Sequence, residues 1–136
     1  MKGSKALKMY GKSGKMTDYE KLELMDYSEV YFLGIGAADT KIKGRCGKKY
    51  NDGYDDEQGD YTVVTGDHVG FRFEILDFLG KGSFGQALKV MDHMTGEITA
   101  IKIIRNKKKF QHQAAVELKI LQHLQDNDPD DRCNII

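Results

Sequence analysis

The chain has 136 residues, about the size of one small domain and short for a two-lobed enzyme. Its 21 basic and 21 acidic side chains balance, so no net charge favours binding to nucleic acid or to a membrane surface. Cys46 and Cys133 lie far apart, which argues against a zinc site or a disulfide-stapled secreted domain. Because no signal-peptide-like or membrane-length apolar run occurs, we expect a soluble protein of the cytoplasm, the nucleus or both.

The first 65 residues are rich in Lys, Gly, Asp and Tyr and contain an aromatic and an acidic segment. These are DYSEVYFLGIG (Asp26 to Gly36) and NDGYDDEQGDY (Asn51 to Tyr61). A dense acidic segment can bind a cation, but this one lacks the order of a calcium loop, so we predict a solvated, turn-rich stretch. We likewise predict that the basic run RNKKKF (Arg105 to Phe110) is a solvated turn rather than a phosphate or nucleic-acid site.

Regular patterns begin at Phe71. Apolar alternation predicts three strands, FRFEILDFL (71–79), QALKVMD (86–92) and EITAIKIIR (97–105). Their connections are too short for a parallel crossover, so we predict an antiparallel meander. Helical spacing follows in FQHQAAVELKILQHLQ (110–125), and DNDP ends the helix. The predicted apolar stripe of this helix is Phe110, Ala114, Leu118, Leu121 and Leu124 or Gln125.

Three glycines, Gly80, Gly82 and Gly85, lie in the sequence GKGSFG between the first two predicted strands. A dinucleotide-binding fold would require a helix directly after Gly85, whereas QALKVMD is short and strand-like, which disfavours that fold. Two interpretations remain. The motif is either a tight turn or a loop whose backbone N–H groups approach phosphate oxygens because glycine lacks a Cβ.

Two charged residues fall at positions where a charge is costly to bury. Lys102 lies in the middle of the apolar third strand, and Glu117 lies in line with Phe110, Ala114 and Leu121 on the predicted helix. Each has an alternative interpretation, because Lys102 can lie on a solvated strand face and Glu117 can reach water from the edge of the stripe. If both face the core, each needs a partner of opposite charge.

Together, the glycine loop, the strand lysine and the helix glutamate resemble the N-terminal lobe of a eukaryotic protein kinase over residues 79–117. The resemblance implies an α+β fold, with antiparallel strands 1–3 and helix C of that lobe, ending before strands 4–5. It implies Lys102 and Glu117 as the catalytic pair, with Lys102 contacting the ATP phosphates and Glu117 holding Lys102 in place. The implied nucleotide-binding residues are Leu79, Gly80, Lys81, Gly82, Ser83, Phe84, Gly85, Gln86, Ala87, Ala100 and Lys102, with Phe84 capping the loop tip. Ala87 and Thr99 stand where the kinase pattern has valine.

A further resemblance covers nearly the whole chain. The segments Ala6 to Gly34, Tyr54 to Tyr61 and Ile104 to Ala114 are similar to the dual-specificity tyrosine-regulated kinases. This resemblance implies an N-terminal accessory region at 1–69 and a partial kinase N-lobe at 70–136. It also implies ATP-dependent phosphorylation of Ser or Thr in protein substrates, autophosphorylation on tyrosine, and ATP and Mg²⁺ as cofactors. The aromatic segment is expected to pack against the lobe, to form a small local core, or both.

No HRD, DFG or APE sequence occurs in the 136 residues. Because a working kinase takes its base and its Mg²⁺ ligands from the first two of these motifs, we predict no metal ligands within this chain. The expectation is an N-terminal portion of a kinase that is inactive without its missing C-lobe. The alternative is a non-catalytic protein-interaction module or a truncated inhibitory isoform.

Overall fold

A computed structural model of the protein describes residues 1–83 and 85–133. Within them, two helices come first, α1 (Gly3–Tyr10) and α2 (Asp18–Glu23), followed by 3₁₀ turns at Leu24–Asp26, Ile35–Ala37 and Asn51–Gly53. The second half of the chain forms β1 (His68–Val69), β2 (Phe73–Gly82), β3 (Gly85–Asp92), β4 (Glu97–Ile104) and α3 (Lys108–Asp126). The fold is α+β, as predicted, with a largely irregular N-terminal region (residues 1–69) before the long strands.

The strands form one antiparallel sheet in the order β1-β2-β3-β4. The predicted meander is confirmed, and the structure adds the two-residue strand β1 at one edge. The β2–β3 pairing shifts register between Ile75 and Asp77 and again between Phe78 and Gly80. Such bulges bend a strand and increase its twist, so β2 curls as it approaches the glycines.

The sheet has two unlike faces, which follow from the cross-strand register. Leu88 pairs with Ile101, and both side chains point to the same face of the sheet, where they pack with Ile75 and Val90. We call this the covered face, because it lies beneath the N-terminal region. Tyr61, Val63 and Val69 contact this covered face. Ala87 pairs with Lys102 and points the other way, toward what we call the open face, where Ala100 is exposed.

The N-terminal region has its own apolar core, which consists of Ala6, Met16, Leu24, Val30, Leu33 and Phe71. Phe71 is not part of β2, contrary to the prediction, because its backbone turns to a positive φ of 53° and its ring is buried in this second core. The N–H groups of Tyr31 and Phe32 donate to the Phe71 carbonyl at 2.8 and 3.0 Å. Phe32 also stacks on His93 at a centroid distance of 4.3 Å. The aromatic segment therefore both contributes to a local core and packs against the end of β3.

Helix α3 presents Phe110, Ala114, Glu117 and Leu121 as its half-buried residues, with no fully buried residue. The prediction that Leu118 belongs to the apolar stripe is wrong, because its side chain is 67% exposed. Successive residues are about 100° apart around a helix, so turning Glu117 toward β4 turns Leu118 away from it. No helix within residues 1–83 and 85–133 combines the length and apolar character needed to cross a bilayer.

Candidate functional site

The predicted pair of Lys102 and Glu117 comes together beside the open face. Lys102 Nζ lies 3.1 Å from Glu117 Oε1 and 3.0 Å from Oε2, so it contacts both carboxylate oxygens. The two side chains are 40% and 43% exposed, respectively. A pair this accessible contributes about 0–1 kcal/mol to folding. The pair therefore adds little to the stability of the fold. Its exposure leaves the Lys102 ammonium accessible to an anionic ligand.

The three glycines differ in what their missing Cβ permits. Among the residues that the structure describes, a Cβ added to Gly80 would meet nothing within 4 Å, and one added to Gly82 would make only an ordinary contact at 3.9 Å. A Cβ at Gly85 would lie 2.5 Å from the Ile103 carbonyl oxygen. Gly85 is thus required by strand packing. Gly80 and Gly82 leave space that residues 1–83 and 85–133 do not fill, which suits a close approach of ligand to backbone.

The other predicted nucleotide-binding residues divide between the two faces. Ala87 and Ala100 lie on the open face with Lys102, while Leu79 within β2 and Ser83 just after β2 are exposed. Gln86 instead lies on the covered side, where its Nε2 donates to the Tyr61 carbonyl at 2.7 Å. Only the Gln86 backbone is left for a ligand on the open face. Phe84, predicted to cap the loop tip, lies outside the described residues.

Lys81 also turns away from the open face and forms an ion pair with Asp60, at 2.8 Å. Asp60 accepts two further hydrogen bonds from Arg105, from Nε at 3.0 Å and from Nη2 at 3.1 Å. The prediction that the acidic segment and the basic run are simply solvated is wrong for these two residues, because Asp60 is only 3% exposed and Arg105 only 17%. The Arg105 hydrogen bonds lower the pKa of the Asp60 carboxyl below its ordinary range.

This ion-pair cluster joins the acidic segment to both the glycine loop and the end of β4. The Asn106 N–H donates to the Gly59 carbonyl at 2.8 Å, and the Asn106 side chain donates to Asp55 at 3.0 Å. Sequence reasoning considered the acidic segment and the basic run separately. The complementary charge of the two segments was the signal that could have paired them.

A second polar cluster, also missed from the sequence, is buried in the N-terminal region. Lys41 Nζ contacts the Glu20 carboxylate, the Leu33 carbonyl at 2.7 Å and Asp67 at 3.4 Å. His68 Nε2 lies 2.9 Å from Glu20 Oε1. Burial raises the pKa of Glu20, but hydrogen bonds from His68 and Lys41 outweigh burial and hold the pKa at about 2.

Glu20, Asp67 and His68 are close enough to one another to suggest a metal site, with ligand atoms within 4.8 Å. The Lys41 ammonium already lies against both carboxylates of this group. It supplies the positive charge that a metal ion would otherwise bring. The cluster is therefore explained as a buried salt bridge that ties α2 to the segment before the sheet.

The sequence is similar to curated protein kinases over most of its length. It is 49% identical over 121 residues to the DYRK-family kinase pom1 of Schizosaccharomyces pombe, covering 88% of this chain and 11% of that protein. It is 45% identical over 131 residues to the human dual specificity tyrosine-phosphorylation-regulated kinase 3, covering 96% of this chain and 22% of the kinase. Identity to the probable serine/threonine-protein kinase dyrk2 of Dictyostelium discoideum is 44% over 131 residues, covering 96% of this chain and 14% of that protein.

No protein-family profile matches the chain. The chain spans only 11%, 22% and 14% of the length of these three relatives. These relatives share one family, and the similarity extends across the N-terminal region as well as the sheet and α3. Over most of its length, the chain is thus similar to kinases of the dual-specificity tyrosine-phosphorylation-regulated family.

Proposed function

We propose that this chain forms the ATP-covering part of a protein kinase that phosphorylates Ser or Thr in protein substrates and autophosphorylates on tyrosine. In this proposal, residues 70–136 belong to the kinase N-lobe and residues 1–69 are its accessory region. The observation that carries the proposal is the bidentate contact of Lys102 with Glu117, on the sheet face that Ala87 and Ala100 share. The family similarity supports the same assignment.

The residues present fit the phosphate groups of ATP. Lys102 offers a half-exposed ammonium, and the space beside Gly80 and Gly82 admits phosphate oxygens to the backbone N–H groups. Glu117 is a positioning residue, since it holds the ammonium without touching the nucleotide. Bound ATP would supply the transferable γ-phosphoryl group. We propose that Mg²⁺ is held by residues outside this sequence.

Nucleotide binding can be tested by NMR on the ¹⁵N-labelled chain titrated with ATP. We expect saturable shifts of the Gly80 and Gly82 N–H signals, and at least about tenfold weaker binding in Lys102→Met, because a charge-assisted phosphate contact is lost. The matched control is Lys119→Met, which removes an exposed lysine on α3 rather than the one on β4. It should bind ATP as the wild type does. Equal ATP affinity of the wild type and Lys102→Met would contradict the proposal.

A second candidate function is protein interaction, and one observation favours it. Val116, Leu118 and Ile120 on α3, together with Ile98 on β4, are apolar and each more than half exposed. Val116 and Ile120 are one turn apart on the same side of α3, and Leu118 is exposed on another side. Exposed apolar side chains of this kind can mark contacts with another protein unit. We propose the C-lobe of the same kinase as the partner. A purified family C-lobe should bind the chain in sedimentation experiments, and Leu118→Gln should weaken the complex; no complex with the wild type would contradict the partner assignment.

We also propose a location in the cytoplasm, the nucleus or both. Cys46 and Cys133 are both exposed and form no disulfide within the described part of the chain, which suits a reducing compartment. Imaging of a fluorescent fusion would test the location, and a secreted product would contradict it.

A further inference from the structure

A cavity of about 320 Å³ lies under the covered face, away from the Lys102 pair. It is bounded by α2, by residues of the 42–61 segment and by β1, and Ile103 of β4 forms part of its wall. Its volume falls at the lower end of the range for small-molecule sites, about 300–1,000 Å³. Aromatic and acidic side chains dominate the wall, namely Tyr19, Tyr27, Tyr54, Tyr61, Glu20 and Glu23.

The charge of the wall is negative. The carboxylates of Glu20, Glu23 and Asp67 line the cavity, and the buried Lys41 ammonium is paired with Glu20 and Asp67 but not with Glu23. Burial is the largest cause that raises the pKa of the Tyr61 phenol to about 12, and nearby carboxylates, Asp67, Glu23 and Glu20 among them, raise it further. The contribution of these carboxylates, rather than burial, is the sign of a negative local potential.

Glu23 is the unusual member of this wall. Its carboxylate is half-buried, yet it makes no hydrogen bond or ion pair with any residue of 1–83 or 85–133. Burial raises its pKa, and the nearby His68 offsets this only in part, so the lost hydration of the carboxylate is not fully replaced. A carboxylate inside a cleft without a full partner is more typical of binding sites than of structural ion pairs.

We propose that this cavity binds an organic cation, with its ammonium or guanidinium group against Glu23 and its apolar part against the tyrosine rings. Tyrosine faces attract such cations, and the Tyr19 and Tyr54 rings already meet edge to face at 5.2 Å. An anion would be repelled by the same carboxylates. The cation can be a small free amine or the side chain of an Arg or Lys from another protein. The proposal is independent of ATP binding, since Lys102 is on the opposite face of the sheet.

The test uses the whole 136-residue chain, whose seven tyrosines include those that line the cavity and give ring signals that NMR can follow. The probes are N-acetyl-arginine amide for a side chain, tetramethylammonium for a small amine, and N-acetyl-citrulline amide as the uncharged control. We expect saturable shifts of the tyrosine ring NMR signals with at least one cation. Preference for the arginine probe supports a protein side chain as the source, and preference for tetramethylammonium supports a free amine.

Two variants make the test specific. Glu23→Gln should weaken cation binding by at least about tenfold, whereas Glu57→Gln, an exposed glutamate of the acidic segment outside the cavity wall, should leave it unchanged. Binding of the citrulline probe as tightly as the arginine probe, an unchanged affinity in Glu23→Gln, or no saturable shift would each overturn the proposal.

Thermal unfolding separates a binding role of Glu23 from a structural one. Because Glu23 loses no partner on substitution, Glu23→Gln should unfold at the same temperature as the wild type or higher. A Tm lowered by several degrees would show that Glu23 stabilises the fold, and would overturn the proposal. Lys102→Met should bind the cation as the wild type does. A wrong ATP assignment would therefore be seen in the ATP titration alone, and a wrong cation assignment in the cation titration alone.

Discussion

Replacing Asp60 with Asn tests whether the acidic segment anchors the glycine loop and the end of β4. The change keeps the side-chain shape but removes the charge that Arg105 and Lys81 share. Removing one partner of a fully buried ion pair costs about 3–5 kcal/mol. Arg105 and Lys81 are 17% and 43% exposed, so each regains part of its hydration when the Asp60 charge is removed. We therefore expect Asp60→Asn to lower the free energy of unfolding by about 2–3 kcal/mol.

For a chain of 136 residues, this loss corresponds to a fall in Tm of roughly 6–12 °C, which circular dichroism can follow. Glu57→Gln, in the same segment but exposed, is the control and should leave Tm nearly unchanged. The Asp60 pKa is lowered on folding, so its contribution is present above the ordinary value of 3.8 and disappears as the pH falls through the folded-state pKa. A Tm for Asp60→Asn equal to that of Glu57→Gln at neutral pH would refute this reasoning.

Three further predictions concern packing and pH. Gly85→Ala should lower Tm by several degrees, because the added Cβ would lie 2.5 Å from the Ile103 carbonyl oxygen. Gly82→Ala is the control and should leave Tm nearly unchanged, so equal shifts in Tm for the two variants would contradict this geometry. Leu24→Ala should lower the free energy of unfolding by about 2–5 kcal/mol in urea titrations, since Leu24 is fully buried, and a loss below about 1 kcal/mol would argue against a formed N-terminal core. The Glu20 pKa falls from 4.5 to about 2 on folding, so wild type and Glu20→Gln should differ in stability above pH 4.5 and converge as the pH falls toward 2; a gap that widens on acidification would contradict the assignment.

Local patterns predicted the elements that carry the candidate site, and the resemblance to a known family predicted its central pair. Period-two alternation located the long strands, helical periodicity located α3, and the resemblance to the protein-kinase N-lobe implied that Lys102 and Glu117 meet. The helix stripe was less well predicted, because Leu118 and Glu117 are neighbours on the helix surface and only the packing against β4 decides which one turns inward. The predictions succeed where the pattern of a short stretch decides the structure. They fail where a tertiary contact, such as the packing of α3 against β4, decides it.

Contacts between distant segments could not be predicted in this way. Asp60 and Arg105 are 45 residues apart, and Glu20 and Lys41 are 21 apart. In both pairs, each side chain is ordinary in its own sequence neighbourhood. A carboxylate in an acidic segment has no local property that marks it as buried, so its partner becomes apparent only when the chain is folded.

The sequence by itself determined the strand order, the single long helix and the chemical types at the candidate site, because these depend on periodicity and turn residues within short stretches. Only the tertiary structure decided which face of the sheet stays open. EITAIKII carries apolar residues on both faces, with Ile98 and Ala100 on one and Ile101 and Ile103 on the other. Packing of Tyr61, Val63 and Val69 from the N-terminal region covers the second face and leaves Lys102 on the first, because apolar surface is buried wherever a complementary surface reaches it.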